Sequence, residues 1–240
     1  MSRIRLHVDH PLGQGQMVPL SRDQAHYLGH VMRQGTGSKV LVFNGLDGEW
    51  RAEISELGKR GGTLVAEDRT APQRDPPDLW LLFAPIKKAR TDFIVEKAAE
   101  LGTRRAQPVH TLYTNAERIR RDRLQAHAIE AAEQCGGTFV PEVAELRKLE
   151  AVLDDWPTDR QLLFCDEAAV DEPFGGLGDR PRGPWAILIG PEGGFAEAER
   201  TRLAEMPQAH RISLGPRILR ADTAAVAALT LWQAALGDWS

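Results

Sequence analysis

Two short apolar runs late in the chain each end abruptly in a Gly-Pro pair. Trp185-Ala186-Ile187-Leu188-Ile189 passes into Gly190-Pro191-Glu192-Gly193-Gly194-Phe195, and Arg211-Ile212-Ser213-Leu214 passes into Gly215-Pro216-Arg217-Ile218-Leu219-Arg220. Apolar runs of this length bounded by glycine and proline read as buried strands that stop sharply. A helical pattern over 196–205 separates the two runs, so they are expected to be parallel neighbours in a helix-covered sheet. Their loops then leave from the carboxyl edge of that sheet, where open α/β sheets bind ligands. Glycine lets the backbone there approach a ligand with no side chain between them.

The rest of the chain agrees with that frame. Leu79 to Ala84, 106–109 and Leu162-Leu163-Phe164 read as further strands. Helices are expected over 91–101 (Phe93, Ile94, Ala98 and Leu101 inward, Gly102 as the stop), over 116–135 with Asn115 as N-cap, and over 145–154. A final helix from about Asp222 to Leu236 is apolar almost all round, which suits burial by the core or by a second subunit. Before them, Thr70-Ala71-Pro72-Gln73-Arg74-Asp75-Pro76-Pro77 has the composition of a linker. The first seventy residues have another character. Ser21 and Gln24 form a capping box ahead of a helix carrying Ala25, Leu28, Val31 and Met32 and ending near Gly35. Lys39 to Phe43, Glu49 to Leu57 and Thr63 to Glu67 read as strands around Asn44-Gly45 and Asp47-Gly48 turns. Short strands with glycine turns predict a small barrel. The expected organisation is a barrel over 1–70, a linker over 71–77 and an α/β domain over 78–240.

Composition narrows the function. The 240 residues are 42% hydrophobic and 27% charged, ordinary globular usage with enough apolar material for a core. No run approaches the roughly 18–20 consecutive apolar residues of a membrane helix. Met1-Ser2-Arg3-Ile4-Arg5 leads into no apolar stretch of signal-peptide length. A cytoplasmic protein with no membrane partner is expected. Cys135 and Cys165 form no Cys-x-x-Cys pair and are expected as reduced, semi-buried thiols. His7, His10, His26 and His30 are the other metal-ligand types, but no carboxylate or cysteine completes a set, so no metal is expected. No G-x-x-x-x-G-K-[ST], G-x-G-x-x-G or G-x-S-x-G is present, which weighs against ATPase, dinucleotide-dependent and esterase chemistry. The net charge of −4 excludes a uniformly basic coat, yet residues 84–125 hold ten Lys/Arg against five Asp/Glu. This stretch is suited to a polyanion. Residues 1–70 are nearly balanced, with nine Lys/Arg and eight Asp/Glu.

The pair GPEGGF and LGPRILRADTA closely resembles the RsmE-type ribosomal RNA methyltransferases of the SPOUT superfamily. The likeness extends in order along nearly the whole chain. It takes in His26-Tyr27-Leu28 through Val31-Met32-Arg33, Val40 to Asp47-Gly48, Glu96-Lys97-Ala98-Ala99-Glu100-Leu101-Gly102, Ala131-Ala132-Glu133-Gln134-Cys135-Gly136 and Pro141-Glu142. Two places depart from the family pattern. Gly137 stands where an arginine is expected, and Leu112-Tyr113-Thr114 stands where an acidic-basic pair is usual.

The resemblance implies a PUA-like β-barrel followed by a mostly parallel α/β domain with a trefoil knot, working as a homodimer. It implies S-adenosyl-L-methionine as cofactor and methylation of uridine N3 in small-subunit ribosomal RNA, with the small ribosomal subunit as partner. On this reading the cofactor lies against Leu188, Ile189, Gly190, Pro191, Glu192, Gly193 and Gly194 from the first loop. Ser213, Leu214, Gly215, Ile218, Leu219 and Thr223 hold it from the second. Arg220 is the first candidate to contact the target uridine or its phosphate, and Arg217 a flanking phosphate. Glu192 has two roles open to it: binding a cofactor amine or ribose, or accepting the N3 proton. Lys87, Arg90, Arg118 and Arg121 are candidate RNA contacts. Two other readings stay open: a SPOUT enzyme with another RNA target, and a catalytically silent RNA-binding factor.

Overall fold

The computed structural model describes residues 4–115, 118–169, 177–178 and 180–239. The start of the N-terminal segment read against a leader, and the first two residues of the helix expected from 116, lie outside the described residues. Two compact units are present, one of Met1–Asp75 with Ala132–Val140, the other of Pro76–Ala131 with Pro141–Ser240.

In the first unit, β1 (Arg5–His7), β2 (Met17–Leu20), β3 (Lys39–Phe43), β4 (Glu49–Gly58) and β5 (Gly61–Ala71) form one sheet in the order β1-β3-β4-β5-β2. Only β1 and β3 are parallel. Three register shifts between β4 and β5 bend the sheet, as bulges do, around Leu6, Val18, Val40, Val42, Ile54 and Leu64. The expected linker begins late, because β5 continues to Ala71.

The Ser21 capping box forms in both directions: Ser21 Oγ accepts from the Gln24 N–H and Gln24 Oε1 from the Ser21 N–H. Helix α1 covers only Arg22–His26 and passes into a π-helical turn, Tyr27–Val31. Ala25 and Leu28 are buried as expected, but Val31 is exposed. The wider turn carries one more residue than an α turn and rotates the residues after it off the apolar face. Ala132–Val140 belongs to this unit through Arg5. Its guanidinium pairs with Glu49 at 2.7 Å and donates to the carbonyls of Ala132, Glu133 and Gly137 at 2.7, 3.0 and 2.9 Å. A cation there satisfies carbonyls that a helix C-terminus leaves unpaired.

The second unit is a parallel α/β sandwich. Its strands are β6 (Leu79–Phe83), β7 (Arg105–His110), β8 (Glu142–Val143), β9 (Arg147–Lys148), β10 (Gln161–Cys165), β11 (Trp185–Ile189) and β12 (Ala209–Ile212). They are ordered β12-β10-β11-β6-β7-β8, with β9 also on β7. Every pairing is parallel. Helices α2 (Lys88–Glu100), α3 (Arg121–Cys135), α4 (Leu149–Asp154), α5 (Glu197–Glu205) and α6 (Ala221–Leu236) complete it. One sheet face packs Leu82, Phe164, Ala186 and Leu188 against Leu149, Val152 and Leu203 of α4 and α5. Helix α6 packs on β11 and α2.

Several expectations are corrected. Phe93 faces outward with Lys97 Nζ 5.2 Å above its ring, and Val95 and Thr91 take the inward positions instead. Helix α3 starts at Arg121, so Arg118 and Arg120 precede it. Helix α4 starts only at Leu149, because Arg147–Lys148 pairs as a strand. The last helix buries its one amide: Gln233 Nε2 donates to the Leu101 and Gly102 carbonyls at 2.6 and 3.2 Å. This closes the end of α2, where Gly102 adopts φ +73°, as expected of a helix stop.

Candidate functional site

Strand β10 lies between β11 and β12 in parallel register, Cys165 opposite both Ile189 and Ile212. Three loops therefore leave the carboxyl edge side by side, and they enclose a cavity of about 190 Å³. Ile189, Gly190, Pro191 and Glu192 form one wall. Ser213, Leu214, Gly215, Ile218 and Leu219 form the opposite one, with Arg217 and Arg220 at its rim. The third loop, Cys165-Asp166-Glu167, and Ala221 and Ala224 of α6 close it. These five residues were missed by sequence reasoning. The signal for the first three was available, since they end a predicted strand at the edge where ligands bind.

The loop shapes follow from packing. Phe195 is fully buried, edge-on to Phe164 with ring centroids 6.3 Å apart. Its ring folds beneath Gly190 so closely that a Cβ there would come within 3.1 Å of it. The Gly194 N–H donates to the Pro191 carbonyl at 2.9 Å, closing a tight turn. Gly194 takes φ +71°, and a Cβ on it would fall 1.7 Å from Glu167 Oε1. In the second loop Ser213 Oγ accepts from the Gly215 N–H at 3.2 Å, and Gly215 takes φ +106°.

Four expected cofactor contacts do not line the cavity. Leu188 points into the core beneath the sheet, because adjacent strand residues face opposite sides. Gly193 lies under Tyr113, Gly194 against Glu167, and Thr223 is exposed on α6. Gly193 and Gly194 thus shape the loop without facing the cavity.

The cavity's charges are arranged unevenly. Asp166 is almost fully buried and faces Arg200 Nε at 3.1 Å and Arg211 Nε at 2.9 Å. The second contact is an ion pair without hydrogen-bond geometry, so Asp166 Oδ2 accepts no hydrogen bond among the described residues. Glu167 also pairs with Arg200. Burial pushes the Cys165 thiol up to about 12, so it is a neutral, apolar part of the floor. Cys135 is exposed rather than semi-buried. Arg217 and Arg220 are exposed and carry no ion pair among the described residues. Glu192 is held from outside: Arg90 Nη1 lies 3.4 Å from Glu192 Oε1, and Arg90 Nε 3.7 Å from Asp222 Oδ2.

The basic stretch is more neutralised than its composition suggests. Besides Arg90, Arg121 donates to the Val143 carbonyl and lies 3.8 Å from Glu145, and Arg120 pairs with Asp122. Arg123 pairs with Asp92. Lys87 and Arg118 are exposed with no ion pair among the described residues. No helix among the described residues is long and apolar enough to cross a membrane. No group of three or more metal-ligating side chains is found among them.

Residues 73–233 match the family model of the RNA methyltransferase domain, and residues 20–67 that of the RNA methyltransferase PUA domain. The ribosomal RNA small subunit methyltransferase E of Synechocystis is 30% identical over 88% of this chain and 71% of its own length. That of Rickettsia conorii is 27% identical over 94% of this chain and 93% of its own. The crystal structure of the Neisseria gonorrhoeae enzyme of the same name, bound to S-adenosyl methionine, superposes with a TM-score of 0.90 at 28% identity, covering all of both chains. The paired glycine loops, the parallel sheet that presents them and the PUA domain ahead of it thus have one common explanation: the chain belongs to the RsmE-type small-subunit ribosomal RNA methyltransferases.

Proposed function

We propose that the chain transfers the methyl group of S-adenosyl-L-methionine to N3 of a specific uridine in small-subunit ribosomal RNA, on the assembled subunit in the cytoplasm. The observation that carries this reading is the single cavity walled by both glycine loops at the carboxyl edge of a parallel sheet. The residues present suit that cofactor. Gly215 lines the cavity with nothing within 4 Å of where a Cβ would stand, which leaves a ligand room to approach the backbone. Asp166, Glu167 and Glu192 set carboxylates around it.

When bound, the cofactor supplies an activated methyl group on a positively charged sulfur. The chain's part is alignment and proton management. Holding nucleophile, methyl and leaving group in line lowers such a barrier by several kcal/mol. Uridine N3 carries a proton that must leave. Arg220, exposed at the rim, presents a planar fork suited to an anionic uracil or its phosphate. Arg217 is assigned a flanking phosphate. Glu192, oriented by Arg90, is assigned the N3 proton. Lys87 and Arg118 are assigned to RNA phosphates. The knotted threading and the homodimer belong to this proposal as well, with exposed Trp239 just beyond α6 in keeping with a covering subunit.

The test is incubation with methyl-labelled cofactor and small subunits from cells lacking the enzyme, followed by nucleoside analysis. N3-methyluridine at one position, lost in Arg220→Ala, is the expected result. Label on another nucleoside would overturn the substrate assignment. Failure to bind cofactor would overturn the activity.

A further inference from the structure

The turn after β7 has a definite shape. Thr111 and Thr114 are buried and clasp each other. The Thr111 N–H donates to Thr114 Oγ1 at 3.0 Å, the Thr114 N–H to the Thr111 carbonyl at 3.1 Å, and the two hydroxyls are 2.8 Å apart. The Leu112 N–H donates to Glu199 Oε1 at 2.9 Å. A turn pinned at both ends and in its middle nevertheless holds two large apolar side chains outward: Leu112 is 70% exposed and Tyr113 48%. Exposing such groups on a rigid turn forfeits burial that a polar residue would not forfeit.

Their position supplies a reason. The Tyr113 side chain lies on Gly193, where a Cβ would come within 3.3 Å of Tyr113 Cβ. Gly193 adjoins Glu192, which lines the cavity. The Tyr113 side chain therefore packs against the loop that supplies one cavity wall, and no hydrogen bond of the Tyr113 side chain is found among the described residues. Arg217 and Arg220, with no ion pair among the described residues, stand at the rim of the same cavity. Exposed aromatic faces and arginines together are how proteins hold single-stranded RNA, with the ring stacking a base and the cations meeting phosphates.

We propose that Leu112 and Tyr113 form a stacking shelf for a nucleobase of the RNA substrate next to the one being modified, with the Tyr113 ring as the stacking face. This rests on the reading of the chain as an RNA methyltransferase acting at this cavity.

The test is steady-state methyl transfer to unmethylated small subunits by the wild type, Tyr113→Ala and Tyr113→Phe, with cofactor affinity measured by calorimetry. Tyr113→Ala is expected to raise KM for subunits about 5- to 150-fold, the equivalent of about 1–3 kcal/mol of base stacking. The kcat and the cofactor Kd should stay within about twofold of wild type, and Tyr113→Phe should restore KM. An unchanged KM overturns the shelf. So does Tyr113→Phe failing as badly as Tyr113→Ala, since that would assign the role to the hydroxyl. An equal loss of cofactor affinity would make the ring a mere support for the Gly193 loop. A changed sedimentation coefficient with unchanged KM would give the patch to a second copy of the chain. If the wild type methylates no subunit RNA, the proposed function fails separately. The shelf is then judged by anisotropy of a labelled single-stranded uridine oligonucleotide, and equal affinity of wild type and Tyr113→Ala overturns it.

Discussion

Gly194→Ala is the most informative single substitution in the first glycine loop. Gly194 sits at φ +71°, where an L-residue costs roughly 1–2 kcal/mol. The added methyl would also fall 1.7 Å from Glu167 Oε1, so the carboxylate must swing away and release Arg200. Glu167 is about a third exposed, and a pair of that exposure is worth about 0–1 kcal/mol. The sum is a loss of about 1–3 kcal/mol. Repeating the substitution in a Glu167→Ala background removes the collision and leaves only the backbone strain. The cost should then fall by up to about 1 kcal/mol, and this difference is the coupling read by a double-mutant cycle. Urea unfolding of the four proteins measures it. Calorimetry on the same proteins should find cofactor affinity reduced several-fold in Gly194→Ala, because the turn that carries Pro191 and Glu192 relaxes to relieve the strain. Wild-type stability in Gly194→Ala would refute the strain argument. An identical cost in both backgrounds would refute the collision.

Other outcomes rest on particular contacts. Cys165, pushed up to about 12 by burial, should resist thiol reagents at neutral pH while exposed Cys135 reacts, giving one equivalent per folded chain and two after denaturation. Arg160 is 6% exposed, pairs with Asp78 at 2.9 Å and lies 3.7 Å over the Trp80 ring. Asp78→Asn should cost about 1–3 kcal/mol by urea unfolding, and a neutral result would show the pair to be redundant with the carbonyls that Arg160 also meets. His7 and His210 are both lowered from their ordinary value, chiefly by burial, with Asp9 opposing at His7 and Arg180 assisting at His210. The unfolded chain takes up protons first, so their stabilisation is complete above about pH 6.5 and is lost as pH falls through the folded values. Unfolding measured at about pH 7.5 and 5.5 should show a smaller acid loss in the His7→Gln, His210→Gln double variant than in the wild type. An equal loss would refute it.

Local chemistry made much of this protein legible. The Ser21-Gln24 capping box, Gly102 at the end of α2, the Asn44-Gly45 turn and the apolar run of β11 act over a few residues, and each is found where its neighbours dictate. Both glycine loops were visible for the same reason. Where the structure departs from expectation, the local periods themselves account for it. Phe93 lies one and five positions from Ile94 and Ala98, off the stripe that Thr91, Ile94, Val95 and Ala98 form at helical spacing. Leu188 sits in the right loop-bearing strand, yet its alternation sends it to the other side of the sheet.

The apolar periods and turn residues thus determined which segments become strands, helices and tight loops, because those choices depend on propensity and on neighbours a few positions away. Only the tertiary structure decided that β10 lies between β11 and β12, bringing Cys165, Ile189 and Ile212 level. That pairing joins residues tens of positions apart, and the burial of whole sheet faces selects it rather than any local pattern. The same long-range choice set Asp166 and Glu167 beside the two glycine loops, held Glu192 with Arg90 of α2, and brought Tyr113 onto Gly193.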